Sequence, residues 1–283
     1  MLKIRSFPRI ALLAVLLAPA PAFAWGVEGH EIVAAIALRE LAPTARSEVG
    51  RLLGSPVLMI HEANWADEIR DARPRTGSWH YVDIPLAAGG YDMRRDCPDG
   101  DCVVAQIDRA AGLLSDRRLA GGMRAEALRF LIHFVADVHQ PLHAEDNDDK
   151  GGNQVHVRIG RMRANLHKVW DTDVVAPLGY DSGAAADEIV RGVTAAQKQE
   201  WRAGPSARWA NESHAIAREH VYPPLAGARD VRLPRDYAVR QAPLARLLLA
   251  KAGVRLGWIL NRALAGGRRA DQSDAKIMLR TTG

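Results

Sequence analysis

The sequence predicts an all-α fold class: a mostly α-helical single domain, with one small β-hairpin near residues 154–165. Three observations carry that expectation. Most of the chain from residue 26 to 264 divides into helix-length segments with apolar residues gathered on one face. The stretch that alternates instead is Q-V-H-V-R-I-G-R-M-R-A-N, residues 154–165, with a glycine near its centre. No internal repeat, low-complexity tract or long linker divides the 283 residues, so one domain over 25–283 is expected. Hydrophobic residues at 48%, charged residues at 25% and a mean hydropathy near zero exclude a disordered chain and a multi-span membrane protein.

The first 24 residues read as a cleaved secretory signal peptide. Lys3, Arg5 and Arg9 make a basic start, residues 10–17 an apolar stretch, and Ala22-Phe23-Ala24 a small-x-small cleavage site. The apolar run is shorter than the roughly 20 residues a bilayer span needs. An exported protein, periplasmic or secreted, whose mature form begins at Trp25 is expected. Loss of those three basic residues takes the formal charge from +5 to +2. That mild balance does not announce nucleic-acid binding, and any basic groove must be local.

Residues 26–41 form the first expected helix, with Ile32, Val33, Ile36, Ala37 and Leu41 on one face. Pro43 starts a second that Gly54 and Pro56 stop near Leu53. His61 to Asp71 reads as a third, and S-W-H-Y-V-D-I-P (78–85) as extended or irregular. Cys97 and Cys102 follow in the loop D-C-P-D-G-D-C, where an exporting compartment lets them pair and restrain a local turn. A helix is expected from about Val103 to Leu114. The next, Met123 to Val138, is apolar nearly all round and so should be central and buried. After the hairpin, helices are expected at about 166–175, 184–202, 205–220 and 235–264. Residues from about 265 read as a loose polar tail.

The chemistry lies in how the ten histidines are placed. His133 and Asp137 sit four apart on the most apolar helix, so both project from one face. A lone buried carboxylate there costs several kcal/mol, on the order of the penalty for an unpaired buried charge, and a metal ion removes that cost. His167 and Asp171 repeat the spacing in N-L-H-K-V-W-D, and His143 lies between the pairs in H-Q-P-L-H. Taken singly, such a pair is most simply a hydrogen-bonded helix pair. Two pairs with further loop histidines point to a metal cluster, and imidazole plus carboxylate without thiolate suits hydrolytic zinc.

Six blocks together resemble a known family. They are Trp25 after the cleavage site, W-A-D (65–67), W-H-Y-V-D (79–83), F-L-I-H-F-V-A-D-V-H-Q-P-L-H (130–143), G-G-N (151–153) and N-L-H-K-V-W-D (165–171). They look like the zinc-dependent single-strand-specific nucleases of fungi and plants, the type I nucleases or 3′-nucleotidases. The resemblance implies the trinuclear zinc fold shared with bacterial phospholipase C, and three zinc ions. One would be held by Asp67, His80, His133 and Asp137, and a second by His143, His167 and Asp171. The third would use the α-amine and carbonyl of Trp25, with His30 and a shared Asp137. By the same resemblance Asp83 would orient the attacking water, and Arg70 would pair with it or with phosphate, although both could equally belong to a structural ion pair. Tyr81 would stack a base and Asn153 hydrogen-bond one, although Tyr81 could equally be a packed core residue. Single-stranded DNA, RNA and nucleotides are the implied substrates, 5′-phosphates the implied products, and a monomer the expected state.

Two other readings stand beside this one. A zinc phospholipase C shares the scaffold and the N-terminal tryptophan, but its last helical pair is usually His-x-x-x-Glu, against His167-x-x-x-Asp171 here. A non-catalytic exported zinc-binding protein would use the same ligands without turnover. His61, His156, His214 and His220 match no metal position and read as surface or supporting residues, and His139 as a supporting residue near Asp137. Asn211-Glu212-Ser213 fits a glycosylation sequon.

Overall fold

The computed structural model describes residues 25–265. The leader expected over 1–24 and the tail beyond 265 lie outside the described residues. The first helix, α1 (Val27–Glu40), is buried on most of its circumference, as its run of Ile, Val and Ala requires. Pro43 opens α2 (Pro43–Leu53), and Gly54 closes it in the left-handed conformation at φ 92°, its N–H returning to the Gly50 carbonyl.

The single helix expected over 61–71 is instead broken into α3 (Leu58–His61), a 3₁₀ turn (Glu62–Asn64) and α4 (Trp65–Glu68). The break falls where the Ala63 carbonyl accepts from His133 Nδ1 over 2.7 Å rather than continuing a helical ladder. A 3₁₀ segment (Pro74–His80) then hands over to extended backbone at Tyr81. Asp92 caps α5 (Met93–Asp96) by accepting from the N–H groups of Arg94 and Arg95. Cys97 and Cys102 form the expected disulfide, with their Cα atoms 5.6 Å apart.

The core centres on α6 (Val103–Ser115) and α7 (Gly121–Asp137), the latter burying Leu128, Phe130, Leu131, Ile132, Phe134 and Val135. The expected hairpin is present as β1 (His156–Ile159) and β2 (Met162–Asn165), antiparallel with Arg158 opposite Arg163. After it come α8 (Leu166–Lys168), capped by the Asn165 side chain, and a π turn (Val169–Asp173). The helix expected over 184–202 is two, α9 (Ser182–Arg191) and α10 (Ala195–Trp201). They divide at Gly192, and Thr194 with Gln197 makes a capping box for the second. Next is α11 (Ser206–Ile216), where Asn211 Oδ1 accepts from the Tyr91 N–H over 2.7 Å. A third strand, β3 (Asp230–Leu233), was not expected; it pairs parallel with β1 and sets Arg232 beside Arg158.

The last helix, α12 (Tyr237–Leu264), lies against α1. A Cβ at Gly253 would sit 2.4 Å from Ile36 Cβ, and one at Gly257 would sit 2.5 Å from Glu40 Cβ. The two backbones approach so closely because these positions carry no side chain. No helix among the described residues is long and apolar enough to cross a membrane.

Candidate metal centre

The helical spacing puts His133 and Asp137 on one face of α7, and both are fully buried. Asp137 is the hub. Its Oδ1 lies 3.1 Å from His30 Nε2, and its Oδ2 lies 3.0 Å from His80 Nδ1 and 3.3 Å from His133 Nε2. Asp67, on α4, brings its Oδ1 to 3.5 Å from His80 Nδ1 and its Oδ2 to 3.6 Å from His133 Nε2. The second cluster joins His143 Nε2 to His167 Nε2 at 3.1 Å, with Asp171 Oδ2 3.5 Å from His167 Nε2. Three groups result, each with donor atoms within 4.8 Å of one another: His30, His133 and Asp137; Asp67, His80 and His133; and His143, His167 and Asp171.

The hydrogen bonds fix what these rings present. His133 Nδ1 donates to the Ala63 carbonyl, His143 Nδ1 to the His80 carbonyl, and His167 Nδ1 to the Gly151 carbonyl, over 2.6 to 2.7 Å. A carbonyl can only accept, so each Nδ1 carries the proton and each Nε2 presents a lone pair. His143 and His167 thus aim two lone pairs at each other across 3.1 Å. Burial keeps these rings neutral: it lowers His133 and His143 well below the usual imidazole range and His167 to about 4. Burial acts oppositely on the carboxyls, raising Asp137 to about 7 and Asp171 well above the ordinary value. Buried acceptors converging on acceptors are repulsive until a cation joins them, so these residues fit a metal. Imidazole and carboxylate without thiolate is a donor set suited to zinc.

Glycine is required at the G-G-N turn. Gly151 has φ 59°, and a Cβ there would lie 2.4 Å from the Leu142 carbonyl oxygen. The close approach lets the Gly151 carbonyl reach and orient His167. Asp149 braces the turn by accepting from the Gly152 N–H and from Tyr222 Oη, with Arg229 Nη1 3.2 Å from its other oxygen.

Beside the clusters opens a cleft of about 400 Å³ that collects the remaining expected site residues. Arg70, Tyr81, Asp83 and Asn153 line it together with His80, His143 and His167. Arg70 Nη1 donates to Asp67 Oδ1 over 3.2 Å. Asp83 stands at the rim, where partial desolvation and then the charges of Asp146 and Asp96 raise its carboxyl to about 6. Tyr81 exposes 39% of its surface, so its ring is available at the cleft rather than packed in the core. Asn153 Oδ1 accepts from Asn165 Nδ2. Trp25 is fully buried at the start of α1, and the next N–H, of Gly26, donates to the Asp171 carbonyl over 2.7 Å.

A family model described as S1/P1 nuclease matches residues 25–265. The chain belongs to the S1/P1 nuclease family. This nuclease is 33% identical to nuclease P1 of Penicillium citrinum over 261 residues, covering 83% of this chain and 96% of that protein. It is 32% identical to endonuclease 2 of Arabidopsis thaliana over 262 residues, covering 84% and 90%. It is 30% identical to nuclease S1 of Aspergillus oryzae over 263 residues, covering 84% and 91%. The enzyme is thus a hydrolase acting on phosphodiester bonds, in a zinc-dependent family; a phospholipase C is not favoured, and a non-catalytic role gives way.

Besides Asp149 and Tyr222, sequence reasoning missed Gln140 as a supporting residue of the nuclease. Gln140, fully buried, donates from Nε2 to Asp171 Oδ1 over 2.7 Å and accepts through Oε1 from the Leu142 N–H. It stands inside the quoted H-Q-P-L-H block, so its neighbours were the available signal. His139, read as a supporting residue, donates from Nδ1 to the Val135 carbonyl and accepts from Arg255 Nη1 on α12. His214, read as a surface or supporting residue, is buried, with its Nε2 on the Ala88 carbonyl.

Proposed function

We propose that the protein is an exported, monomeric nuclease of one domain from Trp25 that cuts single-stranded DNA and RNA to 5′-phosphate products and removes 3′-phosphates from nucleotides. Three zinc ions would be held by Asp67, His80, His133 and Asp137; by His143, His167 and Asp171; and by the Trp25 amine and carbonyl with His30 and Asp137. The observation that carries the reading is the buried array of lone pairs at His133, His143 and His167, bordering a cleft with a cation and an aromatic ring at its rim. When bound, zinc would supply Lewis acidity, neutralising phosphate charge and lowering the pKa of a bound water to about 7.

The chain's own residues do the rest. Asp137, facing two of the groups, holds them at a fixed separation. Arg70, anchored on Asp67, presents positive charge to a phosphate entering the cleft. Asp83 would orient a water by accepting its proton in a hydrogen bond, a role that requires its carboxylate form and so favours pH above about 6. Tyr81 would stack an unstacked base, contributing on the order of 1–3 kcal/mol without reading sequence. Asn153, with its Nδ2 on the Lys150 carbonyl and its Oδ1 on Asn165, lines the cleft and would meet a base edge there. Stacking of this kind needs a splayed base, which is why a single strand is preferred.

Cleavage of single-stranded DNA by protein beginning at Trp25, with and without a chelator, tests the reading when the product ends are mapped. Chelator-sensitive cleavage leaving 5′-phosphates is expected. No cleavage by zinc-replete protein removes it.

A further inference from the structure

The small sheet carries a charge pattern that neither the metal site nor the core explains. Arg163 on β2, Arg158 on β1 and Arg232 on β3 are register partners, so they stand side by side across all three strands. All three are exposed, while their neighbour Val157 turns into the core. Among the described residues none of the three has an ion pair or a side-chain hydrogen bond. Like charges placed directly opposite one another weaken a sheet. Stability therefore gives no reason for a row of three arginines. Arg161 in the hairpin turn and Arg235, which lies against Gly160, extend the positive surface.

The same face leads to the cleft. Side chains alternate along a strand, so Asn165 shares the face of Arg163, one row or about 7 Å along β2. Asn165 Nδ2 donates to Asn153 Oδ1, and Asn153 lines the cleft. The row between holds Asn165, His156 and Asp230, the last the one acidic side chain among these two rows. A backbone threaded through the cleft and running outward past Asn165 would pass over the arginines.

We propose that this outward face is a second binding surface for the substrate strand, with Arg158, Arg163 and Arg232 holding phosphates of nucleotides beyond the scissile bond. The inference rests on the nuclease reading and deepens it. The arginines lie outside the metal groups and the cleft lining, so their effect is on grip and not on the chemical step. Short substrates that end inside the cleft do not reach them.

The test replaces all three in zinc-loaded enzyme, as R158Q/R163Q/R232Q. On a long oligothymidylate at low salt, KM rises roughly tenfold with kcat nearly unchanged, and the slope of log affinity against log salt becomes shallower by about 2, at about 0.7 per lost single-strand phosphate contact. Turnover of a dinucleotide stays at the wild-type value, and Tm stays level or rises as repulsion is relieved. An unchanged KM and salt slope on the oligonucleotide overturns the proposal. So does an equal loss on both substrates, or a lower Tm accompanying it, since either marks a structural role. Binding of a nuclease-resistant phosphorothioate oligonucleotide, read by fluorescence anisotropy, keeps the two ideas apart. If wild-type enzyme cuts nothing, the nuclease reading fails while this slope still decides the arginine row. If the variant loses only binding to phosphatidylserine vesicles, the face is a lipid contact and the proposal falls.

Discussion

Gln140 Nε2 donates to Asp171 Oδ1 over 2.7 Å, tying the turn that carries His143 to the segment that carries Asp171. The bond occupies one carboxylate oxygen and leaves Oδ2 turned toward His167. Gln140→Leu keeps the bulk and removes the bond. Zinc affinity at the His143 group is expected to fall by about 10- to 100-fold, as for other residues that orient a metal ligand. Competition against a chromophoric chelator measures it. An affinity equal to wild type would show that Asp171 needs no such anchor.

Asp137→Asn is expected to reduce cleavage to background and to lower zinc content. Its two oxygens face different groups, and the amide gives one of them a nitrogen that donates instead of accepting. Metal analysis beside a cleavage assay checks both halves. Normal zinc with full activity sinks the shared-ligand assignment.

Zinc binding should release protons from carboxyls and from the terminal amine of Trp25, and not from imidazoles. Burial lowers the histidines, so they are already neutral near pH 7. Asp137 is raised to about 7, so below that pH metal-free enzyme holds a proton that zinc must displace. Apparent affinity therefore falls as pH drops through about 7, and more protons are released per protein at pH 6 than at pH 8. Calorimetric titrations in two buffers of different ionisation heat count them. Equal release at both pH values contradicts the assignment.

An additional residue before Trp25 should reduce zinc content and rate together, because a peptide nitrogen cannot replace a free amine as a ligand. Enzyme beginning at Ala24 is the comparison to make with enzyme beginning at Trp25. If the two are equal in zinc and in turnover, the terminal ligand is wrong.

What could be read from the chain was whatever is local. The i, i+4 pairs on α7 and around α8 were legible because helical geometry places them together whatever the rest of the fold does. The hairpin followed from its alternation. The division between α9 and α10 was also local, and the capping box at Thr194 and Gln197 was there to be seen after Gly192. Other features depend on distant partners. The break at Asn64 comes with His133 taking the Ala63 carbonyl, a contact 70 residues away in sequence. Strand β3 is four residues long and has a partner in β1 only because the chain returns there. Tyr222, which braces Asp149 from 73 residues away, stands in the half of the chain that carries no motif.

The ligand imidazoles owe their aim to the backbone. His133, His143 and His167 are each held through Nδ1 by a carbonyl from a different segment, at Ala63, His80 and Gly151. None of those bonds depends on an ion. Removal of zinc is then expected to leave these three rings aimed as they are. Recovery of the enzyme should be a matter of refilling, on the timescale of ion encounter and proton loss, with no refolding step to wait for.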